Sequence, residues 1–132
     1  MLIRFSEGLS IALHGLAYLA TKNGEKISGK EIAKKIDAAE NTLQKIFQRL
    51  VKAGVVSSQR GPSGGFYLED SDVDFLTVYK LLEGDDKKLN CPLGKTSCPF
   101  EHCILGNDFK NIEKKLEELL KSKRLSDLKG RS

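Results

Sequence analysis

Residues 40–68 decide the fold of this chain, and they read ENTLQKIFQRLVKAGVVSSQRGPSGGFYL. Apolar residues recur there at three- and four-residue spacing as far as Gly54, a residue that favours the left-handed end of a helix. A β-branched run at 55–59 then precedes a Gly/Pro loop at 60–65 and a second apolar run at 66–68. Two short strands around such a loop predict a hairpin directly after a helix.

Upstream of this stretch, the pattern predicts two more helices. Ser6 is placed to cap a first helix from Glu7 to about residue 21, whose apolar residues recur on one face. The Ser-x-x-Glu pattern at 28–31 predicts a capping box that opens a short second helix, and Asp-x-x-Glu at 37–40 predicts the same device for the third. Three helices followed by a hairpin predict a winged helix-turn-helix.

Downstream, two further helices are predicted. Asp74 or Asp72 caps the first of these, which ends at Gly84. A long, highly charged helix starts at Asn107 or Asp108 and carries a narrow apolar stripe formed by Phe109, Ile112, Leu116, Leu119 and Leu120. Such a stripe favours packing against a partner helix, with packing inside the monomer as the alternative.

The predicted fold class is therefore mainly α with a small β-hairpin: a winged helix-turn-helix with a long C-terminal dimerisation helix. We expect a DNA-binding domain over 1–84, a cysteine-bearing loop over 85–106, where no periodicity is visible, and a dimerisation helix and tail over 107–132. A loop of about twenty residues in a compact domain needs something to organise it.

Composition and charge narrow the class of protein. The 132 residues, 39% hydrophobic and 30% charged, are typical of a globular chain. No signal-peptide pattern and no long apolar run is visible, so we expect a cytoplasmic protein. Residues 1–68 carry ten Lys/Arg against five Asp/Glu, whereas 69–132 carry twelve against thirteen. The basic excess on the first half favours phosphate binding, with a solvated basic face as the alternative.

Cys91, Cys98 and Cys103 are the only cysteines of the chain. An odd number of closely spaced thiols cannot be closed by disulfides alone, and in a reducing compartment such clusters favour metal ligation. Three hypotheses follow: an iron–sulfur cluster, a structural zinc ion, or a thiol–disulfide switch without metal. An enzyme is not expected, because no histidine is placed to orient a cysteine nucleophile and no phosphate loop or carboxylate pair is present.

Three segments together resemble the IscR/NsrR-type bacterial winged-helix regulators. They are FSE at 5–7 with IALHGLAYLA at 11–20, LQKIFQRLVKAGVV at 43–56, and VSSQRGPSGGFYL at 56–68, which is similar to the family's RGPxGGY wing. The resemblance implies a homodimer whose C-terminal helices cross-pair and which binds a pseudo-palindromic operator on double-stranded DNA. It also implies a 2Fe–2S or 4Fe–4S cluster near the dimer interface that controls operator affinity in response to iron–sulfur status, nitric oxide, iron or redox state.

In that resemblance the three cysteines supply three ligands, and the fourth ligand is open. Glu7 matches the acidic residue that some members donate to the cluster of the partner subunit, although an acidic residue is also favoured in the first turn of any helix. Other members use a histidine three residues past the last cysteine, where this chain has Gly106. His102 and Asp108 are the remaining candidates. The cysteine spacing, six residues and then four, departs from the five and five common in the family.

Candidate DNA-binding residues lie on the third helix, in the loop of the hairpin and near the first two helices. They are Asn41, Thr42, Gln44, Lys45 and Gln48 on the helix, Arg60, Ser63 and Gly64 in the loop, and Lys30 and Arg4 near the first helices. Amide side chains pair with adenine and lysine pairs with guanine or phosphate. At 39–42 the chain has AENT where the family often has Ser-x-Ser-Tyr, so the operator sequence is not predictable. Glu40 either accepts from cytosine or completes its capping box, and we favour the box.

Overall fold

The computed structural model describes residues 4–69, 72–84, 93 and 97–128. Over these residues the chain is mainly helical with one two-stranded sheet, as predicted. The elements, in chain order, are α1 (Glu7–Ala20), α2 (Gly29–Lys35), α3 (Glu40–Lys52), β1 (Ser57–Gln59), β2 (Gly65–Tyr67), α4 (Phe75–Glu83), α5 (Asp108–Ser122) and a C-terminal 3-10 helix (Leu125–Leu128).

Serine hydroxyls cap α1 and α2, as the sequence predicts. The Ser6 side chain accepts from the N–H of Leu9, and the Ser28 side chain accepts from the N–H of Glu31 at 3.1 Å. The Glu31 carboxylate accepts from the hydroxyl of Tyr18 on α1 at 3.1 Å. Burial and this hydrogen bond raise the pKa of Tyr18. Glu31, in the first turn of α2, therefore links α2 to α1.

The capping box predicted at 37–40 is wrong. The N-cap of α3 is Ala39, which supplies no side-chain hydrogen bond, and Glu40 is the first helical residue. Asp37 instead adopts a left-handed conformation with φ of +56° in the turn between α2 and α3. Aspartate tolerates this conformation better than most residues. The tight turn of the helix-turn-helix takes up Asp37, so its carboxylate does not cap the next helix.

The cap of α4 is Asp74 rather than Asp72. The Asp74 carboxylate accepts from the N–H of Thr77 at 2.7 Å and from its hydroxyl at 2.9 Å. Gly84, with φ of +81°, ends the helix, as predicted. Asp72 instead accepts from Arg124, beyond α5.

The hydrophobic core lies between α1, α2, α3, α4 and the hairpin, and it includes Phe47. The Phe47 ring is fully buried and meets the Phe66 ring edge-on, with 5.0 Å between their centroids. Gly15 of α1 faces the same ring, because a Cβ at this position would lie 2.5 Å from Phe47 Cζ. The contact between Phe47 and Gly15 therefore helps to hold α3, the helix that carries most of the candidate DNA-binding residues, against α1.

The hairpin is antiparallel and shorter than predicted at its start. Gln59 pairs with Gly65 at the loop end, and the first strand begins at Ser57 rather than at Val55. Both valines at 55 and 56 are buried in the core instead of extending the ladder. Ile27, just before α2, exchanges two backbone hydrogen bonds with Phe66, at 2.9 and 2.8 Å. The hairpin is therefore fixed to the segment that enters the helix-turn-helix.

After α5 the chain returns to the helical domain. Leu125 is buried in the core, and its N–H donates to the carbonyl oxygen of Val73 at 3.0 Å. Of the apolar stripe on α5, Leu120 is buried, whereas Ile112 and Leu119 are 55% and 50% exposed. Most of the stripe is therefore not part of the core of the chain. None of the helices in the described ranges is long and apolar enough to cross a membrane. The predicted boundaries of the DNA-binding domain, the cysteine-bearing loop and the dimerisation helix, at residues 84 and 106, stay a prediction.

Candidate nucleic-acid interface and metal centre

The outward side of α3 carries three of the predicted reading residues. Asn41, Lys45 and Gln48 are exposed, and their spacing of four and three residues places them on one helical face. The opposite face is buried through Leu43, Phe47 and Leu50. Thr42 is half-buried. The apolar face of α3 is packed in the core and its polar face is exposed, as in a helix that enters the major groove of DNA.

Gln44 is placed differently from the other predicted reading residues. It is half-buried, and its side chain lies against α2, because a Cβ at Gly29 would lie 2.2 Å from Gln44 Nε2. The same position would lie 3.3 Å from the Phe66 ring. Gln44 therefore packs at the junction of α2, α3 and the hairpin, and any role in base recognition stays a prediction.

The loop of the hairpin is built around glycines. The N–H of Gly64 donates to the carbonyl oxygen of Gly61 at 3.0 Å, and Gly61 has φ of +106°. A Cβ at Gly64 would lie 2.0 Å from the carbonyl oxygen of Gln59, which leaves no room for any other residue. Arg60 and Ser63 are exposed at this tight turn. The loop therefore presents a cation and a hydroxyl on a close-packed backbone.

The predicted phosphate contacts near α1 and α2 are also exposed. Lys30 lies on the outer side of α2 with Lys34 and Lys35, and Arg4 precedes α1. The one salt bridge within the described ranges joins Arg124 to Asp72, far from these cations in the sequence. The basic side chains of α2, α3 and the loop are thus not neutralised by a described carboxylate. Exposed cations without a carboxylate partner suit the phosphate backbone of DNA, and of those on α3 this applies to Lys45 and Lys52 rather than to Arg49, whose guanidinium donates to backbone carbonyls.

The reasoning from sequence missed Arg49. Its side chain leaves α3 on the side of α4, where Nη2 donates to the carbonyl oxygens of Leu81 and Leu82 at 2.9 and 3.3 Å. These carbonyls belong to the last turn of α4, where no helical N–H is available to them. The pattern of the sequence contains no signal for this contact, because the acceptors are backbone atoms more than thirty residues away.

The described cysteines, Cys98 and Cys103, are exposed free thiols in an irregular segment. The carbonyl of Cys103 accepts from the N–H of Gly106 at 2.9 Å, in a turn that leads into α5. Cys91 lies outside the described residues. Among the part of the chain that is described, no three histidine, cysteine or acidic side chains converge as a metal site. His102 and Asp108 are both exposed.

Glu7, the candidate fourth ligand, is exposed at the start of α1. Its neighbour Ser6 donates a hydrogen bond to the carboxylate of Glu83, the last residue of α4. Phe5 meets Tyr79 of α4 edge-on at 6.3 Å between ring centroids. The beginning of α1 is therefore held against the end of α4, which is also where the chain enters the segment that carries Cys91.

The helices α2 and α3 form a helix-turn-helix that packs on the core and leaves a polar face of α3 exposed. The hairpin of β1 and β2 follows as a wing. This arrangement defines the winged helix-turn-helix class of DNA-binding proteins. Residues 5–131 match the model of the Rrf2 family, which is described as an iron-dependent transcriptional regulator. The chain belongs to this family, and the predicted resemblance to IscR/NsrR-type regulators is confirmed.

Relatives and solved structures agree with this assignment. An HTH-type transcriptional regulator of Aquifex aeolicus is 32% identical over 130 residues, which cover 94% of this chain and 90% of that protein. The structure of T. potens IscR has a TM-score of 0.73 at 27% identity and covers 96% of this chain and 85% of that one. The structure of CymR, the global cysteine regulator of B. subtilis, has a TM-score of 0.74 at 26% identity, with 96% and 95% coverage.

The family assignment establishes the general activity. The chain is an Rrf2-family transcriptional regulator, and regulators of this family bind DNA and are typically dimeric. The relatives named above are regulators rather than enzymes.

Proposed function

We propose that this chain is a homodimeric cytoplasmic regulator whose affinity for its operator is controlled by an iron–sulfur cluster on Cys91, Cys98 and Cys103. The observation that carries the proposal is the placement of Cys98 and Cys103. They are exposed, unpaired thiols in an irregular segment between the DNA-reading domain and α5. The description of the matching family as iron-dependent supports iron over other metals.

The chemistry of the donor set fits such a cluster. Thiolates are the usual protein ligands of iron–sulfur clusters, which take four ligands in all. Three cysteines leave one position open, and the exposed Glu7 at the start of α1 is the proposed fourth donor, from the partner subunit. When bound, the cluster would supply redox and ligand-exchange chemistry at the segment that leads out of the reading domain. Shared ligation would fix Cys91, Cys98 and Cys103 at short distances from one another.

DNA recognition is proposed to come from α3 and the wing. Asn41, Lys45 and Gln48, exposed on one face of α3, would contact base edges in the major groove. Arg60 of the wing would contact the phosphate backbone, as would Lys30 on α2. Two copies joined through the exposed stripe of α5 would present two such surfaces to a pseudo-palindromic operator.

Anaerobic purification with iron and sulfide analysis tests the ligand. The wild-type protein should carry iron and sulfide in equal amounts and show the visible absorption of an iron–sulfur chromophore, bleached by oxygen or nitric oxide. Cys98→Ser should lose both iron and colour. Ser97→Ala, in the same exposed segment, is the matched control and should retain them. A colourless, iron-free wild-type protein purified without oxygen would overturn the proposal.

Operator binding tests the regulation. A duplex selected from a random library by the anaerobic protein serves as the DNA, and its affinity is measured before and after removal of iron by a chelator. Coupling between two sites typically changes an affinity by about 5–150-fold, so the loaded and metal-free proteins should differ at least by the lower figure. Equal affinities for both forms would show that the ligand does not control DNA binding.

A thiol switch is the second candidate function. It is favoured by the exposure of both described cysteines and by the similarity to CymR, the global cysteine regulator of B. subtilis. Mass spectrometry of air-exposed, metal-free protein distinguishes it, since a disulfide between two of the cysteines would then form reversibly and change DNA affinity. One zinc ion per chain without iron or sulfide would instead favour a structural metal.

A further inference from the structure

The end of α4 accepts hydrogen bonds from two side chains, one on α3 and one at the N-cap of α1. Arg49 of α3 donates through Nη2 to the carbonyl oxygens of Leu81 and Leu82. Ser6, the N-cap of α1, donates to the Glu83 carboxylate. The end of α4 is therefore hydrogen-bonded both to the last turn of α3, which we call the reading helix, and to the N-cap of α1.

The position of this junction along the chain is informative. Gly84 ends α4 with a positive φ of +81° and with its N–H bonded to the carbonyl oxygen of Lys80, and Cys91 follows seven residues later. The last turn of α4 is thus one of the two helix ends that border the cysteine-bearing loop over 85–106. The contacts of that turn decide which other elements a rearrangement of that loop would affect through α4.

Arg49 is well suited to pass such a change to α3. The last carbonyls of a helix carry partial negative charge and lack helical donors, so a guanidinium there makes charge-assisted bonds. Phe47, two residues before Arg49, is fully buried and fixes the same part of α3 in the core. A displacement of the Leu81 and Leu82 carbonyls would therefore pull on α3 beside that anchor and would change the orientation of Asn41 and Lys45.

We propose that Arg49 is a positioning residue that couples the state of the cysteine segment to the orientation of the reading helix, through the Leu81 and Leu82 carbonyls at the end of α4. This role rests on the proposed function, because it needs two states of the segment. It requires no contact of Arg49 with DNA or with the ligand. Loss of the guanidinium should uncouple the two sites without preventing either from binding.

The test compares Arg49→Met with wild type and with Lys52→Met. Methionine keeps the apolar stem and removes the donors. Lys52 lies in the last turn of the same helix, is exposed and carries the same charge, so its replacement is the matched control. For each protein the operator affinity is measured in the cluster-loaded and metal-free forms, and the ratio is the coupling. Amide hydrogen exchange of α3 in the two forms is a second measurement that needs no DNA.

In wild type and Lys52→Met the ratio should be about fivefold or more, within the range typical of coupled sites, and in Arg49→Met about twofold or less. Cluster loading should change exchange in α3 of wild type but not of Arg49→Met. Arg49→Lys, which keeps a charged donor, should retain most of the ratio. If Arg49→Met does not fold, Arg49→Leu, which also lacks side-chain donors, replaces it, with the same expected loss.

The outcomes separate the two proposals. If wild type shows the expected affinity ratio and Arg49→Met shows the same ratio, the role of Arg49 is overturned and the proposed function stands. The same holds if Lys52→Met loses the ratio as fully as Arg49→Met does. Equal affinities of the two wild-type forms overturn both. Absence of a cluster from Arg49→Met alone would show that Arg49 acts on ligand binding rather than on coupling, and would also overturn this inference.

Discussion

Gly15→Ala probes the contact that holds the reading helix against α1. A Cβ at this position would lie 2.5 Å from Cζ and 2.7 Å from Cε1 of Phe47, and 3.5 Å from Cγ2 of Ile32. Carbon atoms pack best at about 3.5–4.0 Å, so the added methyl group overlaps the ring by about 1 Å. Phe47 is fully buried and its ring meets Phe66 edge-on, so it has no free space to enter.

Two effects of opposite sign decide the magnitude. Alanine in a helix interior is favoured over glycine by about 0.5–1 kcal/mol. Overpacking a well-packed core costs about 1–3 kcal/mol, and a rigid buried ring places this site in the upper part of that range. We expect a net loss in the free energy of unfolding of about 1–2 kcal/mol, or a decrease in Tm of about 3–10 °C for a chain of this size.

Urea unfolding followed by far-ultraviolet circular dichroism measures this change. Gly8→Ala is the matched control on the same helix. Its Cβ would lie 3.2 Å from Ile46 Cδ1, the end of a flexible side chain that can give way, so its stability should equal or slightly exceed that of wild type. If Gly15→Ala is as stable as wild type, the reasoning from the Phe47 contact is refuted.

Three further results are expected. The Arg124 guanidinium holds the pKa of Asp72 below its ordinary value of 3.8. The stability that Arg124→Gln removes is therefore largest at neutral pH and decreases as the pH falls through the pKa of native Asp72, while the bond from Arg124 to the Asp72 backbone carbonyl remains. Urea unfolding across pH measures this decrease, and a constant difference would contradict it. Gly64→Ala places a Cβ 2.0 Å from the Gln59 carbonyl oxygen. It should cost about 1–3 kcal/mol and weaken operator binding in fluorescence anisotropy, and unchanged values for both would count against the tight turn. Leu119→Glu should yield monomers in analytical ultracentrifugation, because this half-exposed residue lies on the proposed dimer stripe of α5; a persistent dimer would exclude that interface.

Local patterns were enough for the order of the five α-helices and the hairpin and for most of their ends, whereas the 3-10 helix at Leu125–Leu128 was not predicted. The hydroxyls of Ser6 and Ser28 cap the helices that follow them, because capping depends on residues within one turn. The apolar spacing of α3 identified its buried face for the same reason. The cap predicted at Asp37 failed, since the turn between two packed helices imposed a left-handed conformation that no pattern of four residues encodes.

The candidate site divides in the same way. Asn41, Lys45 and Gln48 could be placed on an exposed face from helical periodicity alone. Gln44 follows the same periodicity but packs against Gly29, and this contact depends on how α2 and α3 cross. The number and spacing of the cysteines were enough to suggest metal ligation or a thiol–disulfide switch. The exposure of Cys98 and Cys103 could be seen only in the structure.

By itself, the sequence determined the winged helix-turn-helix, its family and the identity of the thiols that could hold a ligand. These depend on periodicity, turn residues and motifs, which act over a few residues. The tertiary structure alone decided that Gly15 receives the Phe47 ring and that Arg49 binds the end of α4. Both contacts join residues about thirty positions apart, so they exist only after the helices have packed.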